Sequence, residues 1–170
     1  MQQESYFPVS KFGAPVGNGI LKIPLQQTRT VEIVLAEDDI DEQYFFEVAI
    51  KELTIATKVK VVADGIRLLD YLLLNLPDII FLDIMMPRKD GIECLKEIKR
   101  NERLKEIPII MYSNSVGDDY IMRTYEYGAL YFLQKGNYAE LTASIEKLLT
   151  IINNTPQQAT LETFKFSLRD

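Results

Sequence analysis

The sequence predicts an α/β fold, an open parallel sheet wound on both faces by helices, and three observations carry that expectation. From Val31 onward, strand-like apolar runs alternate five times with helix-period segments, the pattern of βα units joined by crossover helices. The runs at 78–82 and 109–112 are almost wholly apolar, as strands covered on both faces must be. Four of the five runs end on an acid, a hydroxyl or a lysine: Val31 to Ala36 leads into Glu37, Asp38 and Asp39, Asp78 to Leu82 into Asp83, Ile109 to Tyr112 into Ser113, and Leu130 to Gln134 into Lys135. Open parallel sheets bind ligands beyond the carboxyl ends of their strands. If these strands are parallel neighbours, the acids, the hydroxyl and the ammonium share one shallow pocket, suited to a divalent cation and a phosphoryl group.

The first helix is expected over about Asp41 to Leu53, with Phe45, Val48 and Ala49 facing inward at helical spacing. A second strand runs from Lys58 to Ala63 and is punctuated by Asp64-Gly65. The second helix spans Ile66 to Leu74; Asn75 can end it, and Pro77 blocks its continuation. The third strand opens into the loop Ile84-Met85-Met86-Pro87-Arg88-Lys89-Asp90-Gly91, followed by a helix carrying Ile92, Leu95 and Ile98. Pro108 precedes the fourth strand, and Asp118 or Asp119 can cap a fourth helix that ends near Gly128. In the last helix, Leu141, Ile145, Leu148, Leu149 and Ile152 form one apolar stripe.

Composition narrows the function. A chain of 170 residues that is 47% hydrophobic suits one globular domain with some terminal excess. No apolar run has the roughly 18 residues that a membrane span needs, and Met1 to Ser5 does not read as a signal peptide. The single Cys94 permits no internal disulfide, so a reducing cytoplasm is the expected compartment. A net charge of −6 argues against a DNA-binding surface. The absence of histidine excludes His triads, His metal sites and imidazole bases, so any phosphohistidine in the chemistry belongs to a partner.

The ends of the chain read differently from its middle. Residues 1–29, with four charges, three glycines and three prolines, lack steady periodicity and are taken as an N-terminal extension. A core domain is assigned to 30–153 and a tail to 154–170. In the tail, Phe164, Phe166 and Leu168 alternate with Lys165, Ser167 and Arg169, a strand signal. Only 14 residues follow Pro156, too few for an output domain, which reads as a stand-alone module. Gly19 to Ile23 offers a strand partner for the tail. Docked over one sheet edge of its own chain, the tail would leave the protein monomeric; exchange of such arms between copies, with the fourth-helix face adding contact area, would give a homodimer, the favoured arrangement.

Ala36-Glu37-Asp38-Asp39, Leu82-Asp83-Ile84-Met85-Met86-Pro87-Arg88-Lys89-Asp90-Gly91, Ser113 and Lys135 resemble the ordered signature of a response-regulator receiver domain over about residues 31–152. Pro87 to Gly91 and Met111-Tyr112-Ser113 are most similar to small single-domain, chemotaxis-regulator-like proteins, some of them paired with phytochrome-type sensor kinases. The resemblance implies a flavodoxin-like five-stranded parallel sheet in the order 2-1-3-4-5. It implies that Asp83 is the phospho-acceptor, attacking a phosphohistidine on a histidine kinase or phosphotransfer protein. The implied Mg2+ ligands are Asp38, Asp83 and the backbone carbonyl of Met85, with Glu37 acting through water. Lys135 and Ser113 would bind phosphoryl oxygens, and Ser113 with Phe132 would form the switch. The responsive face, made by the fourth helix, fifth strand and fifth helix, offers Ile121, Met122, Tyr125, Tyr131 and Phe132 to an unknown downstream protein or a second copy. Such a chain is a phospho-acceptor switch rather than a turnover enzyme.

Plainer roles compete at several positions. Asp39 is expected to cap the next helix, Asp90-Gly91 to form a turn, and Cys94 to fill the core. Two departures from the family pattern stand out: Gly136 replaces the proline that usually follows the lysine in a cis peptide, and Met85 replaces a polar residue found in some relatives. A degenerate receiver acting as an unphosphorylated scaffold is the alternative that the first departure keeps open. A haloacid-dehalogenase-like phosphatase would want a second Asp where Met85 stands.

Overall fold

The computed structural model describes residues 29–114, 117–136, 138–154 and 158–168. Five parallel strands, β1 (Val31–Ala36), β2 (Thr57–Val62), β3 (Ile79–Leu82), β4 (Ile109–Ser113) and β5 (Tyr131–Gln134), form one sheet in the order β2-β1-β3-β4-β5. The connecting helices are α1 (Ile40–Lys51), α2 (Gly65–Leu74), α3 (Gly91–Arg100), α4 (Asp118–Glu126) and α5 (Tyr138–Asn154), followed by a short α6 (Leu161–Phe164). This is the flavodoxin-like order that the family resemblance implied.

The strand period explains the two-sided core. Val34, Ile80, Ile109, Met111 and Phe132 pack with α2 and α3 and against α4 on one face. Their neighbours Ile33, Leu35, Ile79, Phe81, Ile110, Tyr112 and Leu133 pack with α1 and α5 on the other, because successive side chains point to opposite faces. The edge strand β2 keeps Lys58 and Lys60 exposed, which discourages pairing with another chain.

Several sequence expectations are corrected. Phe45 does not face inward: it is exposed, and the buried stripe of α1 is Phe46, Ala49 and Ile50. The cap at Asp39 starts the helix one residue earlier, and Phe45 instead stacks on Tyr138 with ring centroids 4.1 Å apart. Neither Asp118 nor Asp119 caps α4. Gly117 holds that position without a side-chain bond, while both acids lie in the first turn, where they still favour the helix dipole. Among its described residues the tail is not an alternating strand. The turn of α6 breaks its two-residue period, so Phe164 and Phe166 fall on opposite faces of β5, and only Lys165 bridges Phe132. The proposed partner, Gly19 to Ile23, lies outside the described residues.

Candidate functional site

Backbone ladders continue just past the strands and fix the spacing of the site. The Glu37 amide donates to the Val62 carbonyl at 3.0 Å, the Asp83 amide to Ala36 at 3.0 Å, and the Lys135 amide to Ser113 at 3.2 Å. Residues one step beyond β1, β3 and β5 are therefore held in sheet-like register with Ser113 at the end of β4. All of the candidate site residues named from the sequence at strand ends meet there.

Asp83 is the centre. Its Oδ1 accepts from the Ser113 hydroxyl at 2.6 Å and from the Ile84 amide at 2.7 Å, and its Oδ2 lies 3.1 Å from the Lys135 ammonium. Lys135 also pairs with the Glu37 carboxylate and lies over the Tyr112 ring, 5.4 Å from its centroid. Glu37 accepts from the Asp39 amide at 3.2 Å. Asp39 itself caps α1, accepting from the amides of Asp41 at 2.8 Å and Glu42 at 3.3 Å. Asp90 likewise closes a capping box with Glu93 at the start of α3.

Glu37, Asp38 and Asp83 each bring one carboxylate oxygen within 4.8 Å of the others. An all-oxygen acidic set open on the Asp38 side suits a hard divalent cation, whose charge would relieve the mutual repulsion of the acids. Met85 stands two residues beyond Asp83 with its side chain exposed. Burial pushes the Glu37 carboxyl up to about 7, against the hydrogen bond and charge of Lys135. Burial alone would lower the Lys135 ammonium, but Glu37 and Asp83 outweigh it and its pKa is raised.

The raised Glu37 value has a stability consequence. An acid whose folded pKa lies above its unfolded value favours folding below the unfolded pKa, and that advantage is lost as pH rises through the folded one. Metal-free protein should therefore lose stability between pH 4.5 and about 7, by something of order 3 kcal/mol. Glu37→Gln should flatten this slope in denaturant titrations; an unchanged slope would assign it elsewhere.

The Lys135-Gly136 departure leaves the lysine in place. No peptide bond among the described residues is cis, and Gly136 instead takes φ +106, a backbone region that side chains disfavour. Phe132 is fully buried, Ile121, Tyr125 and Tyr131 are partly buried, and Met122 remains exposed. Cys94 is buried, its thiol pushed up by burial to about 12.

Sequence reasoning missed a clamp on the loop after Asp83. Asp64 is fully buried; it caps α2 through the Arg67 amide at 2.8 Å and pairs with the Arg88 guanidinium. Arg88 takes φ 68, the one positive value at a non-glycine among the described residues. Its motif position in the loop was legible, but the partner 24 residues earlier was not. Arg88→Ala and Arg88→Gly both delete the ion pair, and only glycine relieves the backbone. The glycine variant should be the more stable by about 1 kcal/mol, and equal denaturation midpoints would contradict this.

The open α/β sheet gathers three acids, a hydroxyl and a lysine at the carboxyl ends of its strands, where sheets of this kind bind ligands. Residues 33–146 match the model of the response regulator receiver domain, and the chain belongs to that family. It is 31% identical over 123 residues to the probable methanogenesis regulatory protein FilR2 of Methanothrix harundinacea, covering 68% of this chain and 79% of that one. To the response regulator Rcp1 of Synechocystis sp. it is 31% identical over 110 residues, 61% of this chain and 75% of Rcp1. Among solved structures, the phosphorylated cyanobacterial phytochrome response regulator RcpA aligns with TM-score 0.67 at 29% identity, covering 72% of this chain and 94% of RcpA. The Mn2+-bound form of Rcp1 aligns with TM-score 0.67 at 27% identity, covering 76% and 99%. Among the described residues no helix is long and apolar enough to cross a membrane.

Proposed function

We propose that this chain is a two-component response regulator that takes a phosphoryl group onto Asp83 from a histidine kinase or phosphotransfer protein, with Mg2+ bound beside it. The observation that supports this most is the setting of Asp83: 5% exposed, hydrogen-bonded by Ser113, paired with Lys135, and adjoined by Glu37 and Asp38. A carboxylate oxygen of Asp83 attacks phosphorus, the nitrogen–phosphorus bond of the donor breaks, and the imidazole leaves with the electron pair. The product is an acyl phosphate, which water cleaves back to Asp83 and inorganic phosphate. Asp38, Asp83 and the Met85 carbonyl would hold the cation, with Glu37 through water; when bound, it neutralises charge building on the phosphoryl oxygens.

This chain's own residues do the rest. Lys135 neutralises a second phosphoryl oxygen and the Ser113 hydroxyl donates to a third, so catalysis is mostly positioning and charge stabilisation. Movement of Ser113 and Phe132 would then alter the face of α4, β5 and α5 that a downstream protein reads. The receiver unit is taken as 30–153, flanked by an extension at 1–29 and a tail at 154–170. Likeness to a phytochrome response regulator favours a phytochrome-type sensor kinase as the donor.

Incubating the full chain with acetyl phosphate should give a hydroxylamine-labile phosphoryl adduct that requires Mg2+; adduct formation in excess chelator would contradict the metal's role. Asp38→Ala should weaken Mn2+ or Mg2+ binding far more than Asp39→Ala, because Asp39 is committed to the α1 cap. A Mn2+ titration that finds equal losses would refute that ordering.

A further inference from the structure

The segment after α5 has no part in the chemistry proposed above, yet it is firmly docked. Gln158 to Leu168 runs along β5, the strand at the end of the sheet order. The Ala159 amide donates to the Leu130 carbonyl at 3.3 Å and the Phe166 amide to the Phe132 carbonyl at 2.8 Å. Gln158 donates to the carbonyls of Tyr125 at 2.7 Å and Ala129 at 2.9 Å. Phe164 is fully buried and stands edge-on to Tyr125 of α4 and Phe132 of β5, with centroids 5.2 and 6.4 Å away. On the other face Phe166 meets Tyr131 at 5.9 Å, and the Lys147 ammonium of α5 lies 5.3 Å from its centroid.

What the tail grips is the strand that carries Lys135. β5 has four residues, pairs with β4 on one side, and is followed at once by Lys135 and the left-handed Gly136. On its outer side the described tail supplies one bond of the kind a further strand would make, from the Phe166 amide to the Phe132 carbonyl, beside the bridge at Lys165. Phe132 has no exposed surface, so it cannot turn outward without displacing Phe164.

The geometry points to Phe164 as a positioning residue for the Asp83 chemistry. By locking the tail onto the outer edge of β5, it holds Phe132 inward and keeps Lys135 on Asp83, so tail docking and loading of Asp83 favour each other. This rests on the reading of Asp83 as phospho-acceptor. The coupling is reciprocal: whatever docking adds to loading, loading adds to docking.

The test uses the full chain and beryllium trifluoride with Mg2+ as the phosphoryl mimic. The wild type is compared with Phe164→Ala, Phe164→Leu and Ile50→Ala, the last deleting a buried side chain under α1 on the opposite face of the sheet. Phe164→Ala should bind the mimic about 5-fold more weakly or worse, Phe164→Leu should recover most of the loss, and Ile50→Ala should stay within about twofold of wild type. In the wild type, hydrogen exchange at the Ala159 and Phe166 amides should slow when the mimic saturates. An unaltered affinity in Phe164→Ala, an equal loss in Ile50→Ala, or exchange indifferent to the mimic overturns the inference. Wild-type protein that binds no mimic overturns the acceptor reading and this inference with it. Wild-type binding beside an indifferent Phe164→Ala overturns the inference alone.

Discussion

Asp83→Asn is expected to abolish phosphoryl uptake from small-molecule donors while leaving the fold intact. The amide is nearly isosteric, and its carbonyl oxygen can still accept from the Ile84 amide and the Ser113 hydroxyl, which lie 2.7 and 2.6 Å from Oδ1 in the wild type. It also removes one charge from a cluster in which three carboxylate oxygens lie within 4.8 Å of one another, and repulsion there disfavours folding. Against that stands the lost attraction to Lys135, which keeps Glu37 as a partner. The two terms oppose each other, so the melting temperature should move little and can rise. Stoichiometric uptake at another acid in the variant would show that Asp83 is not the acceptor.

Gly91→Ala should have the largest effect on stability. A Cβ at this position would stand 1.9 Å from the carbonyl oxygen of Asp83, 2.9 Å from its carbonyl carbon and 3.0 Å from Cα of Ile84. All three are backbone atoms of the segment that carries Asp83, so no side chain can swing aside to make room. The Gly91 amide also donates to the Ile84 carbonyl at 2.9 Å, which ties the start of α3 to the end of β3. Overpacking of this kind costs about 3 kcal/mol or more, which at this chain length lowers the melting temperature by roughly 6–12 °C. The variant should lose metal affinity too, because the loop bearing Met85 must move. A melting temperature within a degree or two of wild type would mean that the loop yields far more easily than its contacts suggest.

The sheet and the site were legible because both are written locally. Ile79 to Leu82 is apolar on both faces and ends on the acid, and parallel pairing then brings Asp83 beside Glu37 without any further information. Motif order supplied the remaining partners, Ser113 and Lys135. What escaped depends on contacts distant in sequence. The phase of α1 was misplaced because Phe45 and Phe46 are adjacent and both apolar, and only the Asp39 cap and the stacking of Phe45 on Tyr138 decide between them. Arg88 finds Asp64 across 24 positions, and the tail finds β5 through single backbone bonds that no period reports. The tail's alternation was a true sign of apolar docking but a false sign of a strand, because a helical turn ends at Phe164.

The most direct measurement is mass mapping of the full chain after incubation with acetyl phosphate and Mg2+, with the acyl phosphate trapped by hydroxylamine. The account predicts one modified residue, Asp83, in the segment that joins β3 to α3, and no modification when the metal is chelated. Trapping at Asp38, Glu37 or an acid outside this cluster, or no trapping with Mg2+ present, would contradict it.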